Sequence, residues 1–236
     1  FTDIVAQLDD GALHVRKVAS TPNDPAQAVL DGLAGLLKDV GASFKDVREV
    51  VHGTTVGSNT ILQKSGARTG LITTRGFRDI LEIGRIRTPT MFDLTWEKPE
   101  PLVPRRHRLE VGERMGADGL AVSDLPQDEV IVAAEMLLEE GIESVAVCYI
   151  NSCINPAHER RTVEILEENF PDLLVTASCD VLPEMKEYER TSTTVVNAYL
   201  LSAMRRYLAN LTRSLSDVGM TAPLLVVASS GGMMRV

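Results

Sequence analysis

The chain has 236 residues, 44% of them hydrophobic, and a formal net charge of −9. That is enough apolar material for one large domain or two modest ones. Basic residues are interspersed with acidic ones, which argues against nucleic acid or an anionic membrane surface as a partner, and no apolar run is long enough to span a bilayer.

Ile4 to Leu8, Asp9-Asp10-Gly11 and Leu13 to Ala19 predict a β-hairpin. Asp24-Pro25-Ala26-Gln27 predicts a helix start, with Asp24 as N-cap, Pro25 at the first position and Gln27 at the third, a capping-box variant. That helix carries Val29, Leu33, Leu36, Leu37 and Val40 on one face and ends at Gly41. Val47 to Val51 reads as a buried apolar strand. It turns abruptly polar at His52-Gly53-Thr54-Thr55-Val56-Gly57-Ser58-Asn59. A helix from Val56 to Lys64 should follow, with Thr54 or Thr55 as N-cap and Gly66 as its terminator. A strand feeding a Gly/Thr turn and a helix N-terminus suits an anion or a polar ligand, because free N–H groups and the helix dipole point there. Arg68 to Thr74 predicts a further strand and Gly76 to Ile83 a short helix.

Residues 84–107 hold Pro89, Pro99, Pro101, Pro104 and Trp96 with few periodic apolar positions, so they read as a long connection. Arg108 to Arg114 and Leu120 to Val122, around Gly116-Ala117-Asp118-Gly119, predict a second hairpin. Next come a helix from Asp128 to Glu140, a strand from Ser144 to Ile150, a helix from Asn155-Pro156 to Phe170 and a strand from Leu173 to Ala177. The strand at 144–150 is apolar on both faces and so belongs at the centre of a covered sheet. A long helix runs from about Glu187 to about Val218, striped by Val195, Tyr199, Leu200, Met204, Tyr207, Leu208 and Leu211. Thr191-Ser192-Thr193-Thr194 are poor helix formers near its start, which suggests that some of these hydroxyls are used. A strand from Pro223 to Ala228 runs into Ser229-Ser230-Gly231-Gly232.

The cysteines Cys148, Cys153 and Cys179 read as reduced thiols of a cytoplasmic protein, and no Cys/His spacing resembles a zinc site. Cys148 is expected in the core, His158 in a structural role, and His14 and His107 on the surface. The chain opens on Phe1-Thr2-Asp3 without Met and stops shortly after Gly232, so a fragment truncated at both ends is expected.

Four polar clusters stand at the ends of apolar elements: Thr2-Asp3, His52 to Asn59, Glu184 to Thr194, and Ser229 to Gly232. In open α/β sheets ligands collect beyond the carboxyl ends of strands, so the clusters suggest one shared site.

On these stretches the chain resembles the hydantoinase/5-oxoprolinase A-subunit family, which includes N-methylhydantoinase A-like and acetone carboxylase β-subunit-like chains. The matching segments include Phe1-Thr2-Asp3, His52 to Asn59, Gly66 to Thr69 and Gly76 to Arg85. Val145 to Cys148, Asn155 to Glu159, Leu182-Pro183-Glu184 with Glu187 to Thr191, and Ser230-Gly231-Gly232 match as well. The resemblance implies an α/β fold of the actin-like ATPase (ribonuclease H-like) class, first half. It places a hydantoinase/oxoprolinase N-terminal region at 1–220, with a subdomain insertion near 84–180, and the start of a second hydantoinase A domain at 221–236. The family's first phosphate loop reads Asp-x-Gly-Gly-Thr-Phe-Thr-Asp, and only its tail is present here. A polar residue such as Asn is usual where Ser230 stands.

The activity implied is ATP-dependent hydrolysis of a cyclic amide (hydantoin, N-methylhydantoin or 5-oxoproline), with Mg²⁺ and a second, B-type subunit. The alternatives are an ATP-dependent ketone carboxylase subunit and a non-catalytic actin-like nucleotide switch. Phosphate and nucleotide contacts fall on Thr2, Asp3, Ser229, Ser230, Gly231 and Gly232, with Asp3 also near the metal. The substrate cleft falls on Gly53, Thr54, Thr55, Asn59 and Thr191. Acid–base or substrate-holding roles fall on His52, Glu184, Glu189 and Arg190.

Overall fold

The computed structural model describes every residue except 22–23, 86–89, 91–92, 94 and 229–230. In chain order come β1 (Thr2–Gln7), β2 (Leu13–Val18), α1 (Pro25–Asp39), β3 (Val50–His52), α2 (Val56–Leu62), β4 (Thr69–Thr74) and α3 (Ile80–Ile83). Then follow β5 (Arg108–Val111), β6 (Arg114–Met115), β7 (Ala121–Ser123), α4 (Gln127–Glu139), β8 (Ser144–Cys148) and α5 (Ala157–Asn169). Last are β9 (Leu174–Ala177), α6 (Ser178–Val181), α7 (Glu187–Asp217), β10 (Leu224–Val227) and β11 (Met233–Arg235). The chain forms two compact units, residues 1–62 with 203–236, and residues 63–202.

In the first unit β1 and β2 pair antiparallel from Thr2↔Val18 to Gln7↔Leu13. α1 packs against this hairpin so closely that a Cβ on Gly32 would stand 1.8 Å from Ile4 Cδ1. The start of α1 departs from expectation. The Asp24 side chain caps nothing. Instead Thr21 Oγ1 accepts the Ala28 N–H at 3.2 Å, and the Gln27 amide turns away to Asp31 at 2.7 Å. A second, three-stranded sheet has the order β11-β10-β3. β3 runs parallel to β10 in the register Val50↔Leu224 to His52↔Val226, and β11 returns antiparallel.

The expected buried strand at 47–51 is therefore corrected. The ladder covers Val50–His52, and Val51 is 48% exposed. Val50 packs on the cluster built from Val29, Tyr207, Leu211, Leu215 and Leu224, and the pleat turns its neighbour Val51 to the other face. Gly66 does not end α2. Lys64 takes the left-handed backbone there, with φ 52°, and Gly66 serves a different purpose. A Cβ on it would lie 2.2 Å from the Tyr199 ring.

The second unit is built on an all-parallel sheet, β5-β4-β8-β9. β8 lies inside it, and Val145, Ala146 and Val147 are fully buried. One face packs Ile72, Val145 and Val147 with Val130 and Leu137 from α4 and Ile165 and Leu166 from α5. The other face packs Leu71 and Ala146 with Leu81, Val195 and Ala198. Each such side chain contributes roughly 1.5–3 kcal/mol by leaving water.

Three expectations fail in this unit. The second hairpin is shorter, because Arg108–Val111 pairs parallel with β4 and leaves only Arg114–Met115 to meet β7. The helix at 76–83 starts late, at Ile80, because Gly76 takes the left-handed backbone at φ 89°; the Glu110 carboxylate accepts the N–H groups of Gly76 and Arg78 in that turn at 2.8 and 3.3 Å. His107 is buried, at 4% exposure, in the turn that leads into β5.

Candidate functional site

The first unit gathers two of the expected clusters. Because β3 and β10 are paired and parallel, the 53–55 connection into α2 and the chain after β10 leave the same edge of one sheet. This is the carboxyl edge, where α/β sheets bind ligands. At that edge the Tyr207 hydroxyl lies 2.6 Å from His52 Nε2, with the rings tilted at 47°. Burial holds the His52 imidazole below its ordinary pKa and pushes the Tyr207 phenol up, while the Thr54 hydroxyl pulls that phenol down. His52 is therefore neutral at this contact, and with its proton on Nδ1 the ring would accept the phenol hydrogen bond at Nε2.

Thr54 Oγ1 accepts the Val56 N–H at 3.2 Å, which starts α2. The Thr55 carbonyl accepts the Asn59 N–H at 2.8 Å, and the Asn59 amide reaches Thr55 Oγ1 at 3.3 Å. No heavy atom lies within 4 Å of a Cβ built on Gly53, so that residue keeps the turn open. Gly231 has φ +86° and is equally open. It donates to the Ala228 carbonyl at 2.9 Å, and Ala228 N–H donates to the Gly232 carbonyl at 2.8 Å, which closes the β10–β11 hairpin. Ser229 and Ser230 lie outside the described residues.

Thr2 and Asp3 sit on the β1–β2 hairpin, which no described ladder joins to the β3–β10 sheet. Thr2 Oγ1 meets Ser20 Oγ at 3.0 Å and Asp3 pairs with Lys17 at 3.2 Å. Among the described residues no group of three or more His, Cys, Asp and Glu is placed to hold a metal.

Glu184, Glu189, Arg190 and Thr191 belong to the second unit. Glu189 is bound to Arg85 at 2.5 Å. Burial opposes ionisation of its carboxyl, yet the Arg85 guanidinium prevails and holds it below the usual range. Arg190 is 1% exposed, and Nη1 and Nη2 donate to the carbonyls of Glu184 at 2.6 Å and Tyr149 at 2.8 Å. Thr191 is buried with its Oγ1 3.1 Å from Cys148 Sγ, and Thr194 Oγ1 donates to the Arg190 carbonyl at 2.7 Å. Those two hydroxyls are thus used, one across the unit and one along α7. Glu184 alone of this group presents an exposed side chain.

Three groups escaped sequence reasoning. Tyr207 was read as part of an apolar stripe, though a tyrosine there still needs a partner for its hydroxyl. Glu159, fully buried, accepts from Tyr149 N–H at 2.8 Å, Ser178 Oγ at 2.6 Å and Cys179 N–H at 2.8 Å. Glu113, also buried, receives Thr74 Oγ1 and faces His158 Nδ1 at 2.8 Å, so His158 has the structural role expected of it. Cys148 and Cys179 carry no thiolate: burial raises Cys148, and burial with the nearby Glu159 charge pushes Cys179 up to about 12.

Residues 1–170 match the hydantoinase/oxoprolinase N-terminal region, and residues 190–236 match hydantoinase/oxoprolinase. The chain belongs to the hydantoinase/oxoprolinase family. Within that family it is 34% identical to caprolactamase subunit alpha of Pseudomonas jessenii, over 99% of this chain and 34% of the relative. It is 30% identical to 5-oxoprolinase 1 of Arabidopsis thaliana, over 99% of this chain and 20% of the relative. The crystal structure of the ATP-dependent caprolactamase from Pseudomonas jessenii superposes with a TM-score of 0.90 at 33% identity, covering 99% of this chain and 35% of that one. The nucleotide-free structure of acetone carboxylase superposes with a TM-score of 0.88 at 28% identity, again over 99% and 35%. The fold is accordingly the mixed α/β arrangement of these enzymes, of whose length the chain spans about a third.

Proposed function

We propose that these residues serve an ATP-dependent enzyme that hydrolyses a cyclic amide. The observation that carries this is the likeness, over 99% of the chain, to a structure described as an ATP-dependent caprolactamase. Relatives described as 5-oxoprolinases support the same substrate class. A ring amide is a poor electrophile. When bound, ATP would supply a phosphoryl group to the amide oxygen, making the ring carbon electrophilic enough for water to add and the ring C–N bond to break, with the nitrogen leaving protonated and ADP and phosphate released.

The chain's own residues then hold and orient. Gly231 and Gly232, with Ser229, Ser230 and Thr2, are assigned to phosphate. The open, glycine-containing turn at the carboxyl edge of β10 suits such a ligand. Mg²⁺ would accompany ATP and would find a carboxylate at Asp3 only after displacement of Lys17. His52, Gly53, Thr54, Thr55 and Asn59 are assigned to the substrate cleft, whereas Thr191, assigned there from the sequence, is buried in its own unit against Cys148. Burial keeps His52 neutral, and the Tyr207 phenol orients it. Glu184 is assigned the proton transfers of ring opening, since Glu189 is already ion-paired.

A second subunit as partner and a cytoplasmic location belong to the same proposal. The description of a relative as a subunit supports the partner. Among the described residues no helix is long and apolar enough to cross a membrane. The compact unit at 63–202 supports an inserted subdomain near 84–180 within a 1–220 region, and a further domain is proposed to open at 221–236, a stretch that packs in the same unit as 1–62.

The second reading, a ketone carboxylase subunit, is favoured by the likeness to acetone carboxylase. ADP release by the protein at the length of its relatives, with its partner subunit, separates the two. Stimulation by caprolactam, hydantoin, N-methylhydantoin or 5-oxoproline is expected. Stimulation only by acetone with bicarbonate selects the carboxylase.

A further inference from the structure

The turn that carries Glu184 is held by an unusual arginine. Arg190 is fully buried, and its two Nη groups donate to backbone carbonyls from separate parts of the chain, Glu184 at 2.6 Å and Tyr149 at 2.8 Å. Its Nε is buried with no hydrogen-bond partner. A buried guanidinium ordinarily takes a carboxylate. Here none of the described ion pairs includes it, and the fork instead ties the 182–186 turn to the carboxyl end of β8. The Tyr149 that it grips by the carbonyl is held at its N–H by the Glu159 carboxylate at 2.8 Å, so the anchor point is itself fixed. The turn is pinned once more where Glu184 N–H donates to the Leu182 carbonyl at 2.7 Å. On this doubly held backbone the Glu184 side chain stands exposed. A fixed backbone beneath a free carboxylate is an arrangement that places a reacting group, since catalysis depends on positioning to within about 0.5 Å.

We propose that Arg190 is a positioning residue, which clamps the 182–186 turn onto the end of β8 and thereby aims the Glu184 carboxylate at the substrate. What Glu184 does rests on the cyclic-amide reading above, whereas the clamp itself does not. A lysine would keep the charge but could not fork to two carbonyls.

Amide hydrogen exchange on the full chain reads the clamp without any activity. Arg190→Lys is expected to speed exchange of the 182–186 peptide by roughly tenfold or more, about the worth of one charge-assisted hydrogen bond, and to leave 205–216 unchanged. Unchanged exchange at 182–186 overturns the clamp. In the enzyme at the length of its relatives, Arg190→Lys and Glu184→Gln should each lower kcat, by up to about 100-fold, with KM little altered. The double variant should be no slower than Glu184→Gln alone. Multiplicative losses, or a raised KM with kcat intact, overturn the positioning role. Pro183→Gly, at an exposed residue that is itself outside the clamp's hydrogen bonds, loosens the same turn and should reproduce the kcat loss even if Arg190→Lys does not fold. A wild type without ring opening counts against the proposed function, and the exchange result then decides the clamp alone.

Discussion

Glu159→Gln tests the buried network most sharply, because it changes one atom's chemistry and almost no volume. The carboxylate is fully buried and accepts from Tyr149 N–H, Ser178 Oγ and Cys179 N–H at 2.8, 2.6 and 2.8 Å. Glutamine can keep its oxygen on Tyr149 and Ser178, but its NH₂ must then face the Cys179 N–H, donor against donor. That forfeits a charge-assisted bond of about 1.5–3 kcal/mol and leaves a buried N–H unsatisfied at about 1–3 kcal/mol. Removing a buried charge gives some relief, yet the charge of Arg190, which feels Glu159, loses that counterweight. The net expectation is a loss of about 3 kcal/mol, or a Tm lower by roughly 6–12 °C for a chain of this size. Thermal and urea unfolding followed by circular dichroism measure it. Glu164→Gln, at an exposed pair with Arg161, is the control and should change stability by less than about 1 kcal/mol. A Glu159→Gln protein as stable as that control would refute the network's role.

Gly66→Ala should cost about 1–3 kcal/mol by overpacking. Its Cβ would sit 2.2–2.5 Å from three Tyr199 ring atoms, and the Ala67 N–H bond to the Tyr199 carbonyl at 3.0 Å keeps the two segments from parting. An unchanged Tm would mean that the ring moves freely. Tyr207→Phe removes the donor to His52 and should lower stability by about 1 kcal/mol in urea unfolding; no loss would deny the bond any weight. His52 also predicts a pH dependence. Burial lowers its folded pKa below the ordinary 6.5, so the unfolded chain binds the proton more readily. Its contribution is fully present above pH 6.5 and is lost as pH falls through the lowered folded value. Urea midpoints between pH 8 and 5 should therefore fall less steeply in His52→Gln than in the wild type, and parallel curves would contradict the burial argument.

Elements whose stability is local were legible in the sequence. The apolar stripe of α7 predicted a helix from about Glu187 to Val218, and Glu187–Asp217 is found. The two-sided apolar run at β8 predicted its interior place in the sheet. Misreadings arose where a distant residue decided. Val111 and Leu109 alternate as a hairpin strand would, but the partner of β5 is β4, far earlier in the chain. Gly76 takes a left-handed turn, φ 89°, which Glu110 holds by accepting the N–H groups of Gly76 and Arg78, where a helix start was expected. His107 stands among arginines in the sequence, yet Arg105 and Arg108 are occupied by Asp79 and Glu82, and the imidazole is buried with Nε2 accepting from Arg106 at 3.2 Å. At the site the polar punctuation at the ends of apolar elements marked 52–59 and 184–194 as candidate segments, whose roles stand as proposals. Their partners were not legible, since Tyr207 meets His52 across 155 positions and Arg190 meets Tyr149 across 41.

The most direct measurement is the stoichiometry of ADP to ring-opened amino acid, by chromatography and mass spectrometry, in the protein at the length of its relatives with its partner subunit and a lactam, hydantoin or 5-oxoproline. Ring-opened product in step with ADP is the predicted result. ADP formed without ring opening under every cyclic amide, or only with acetone and bicarbonate, would contradict cyclic-amide hydrolysis as the function.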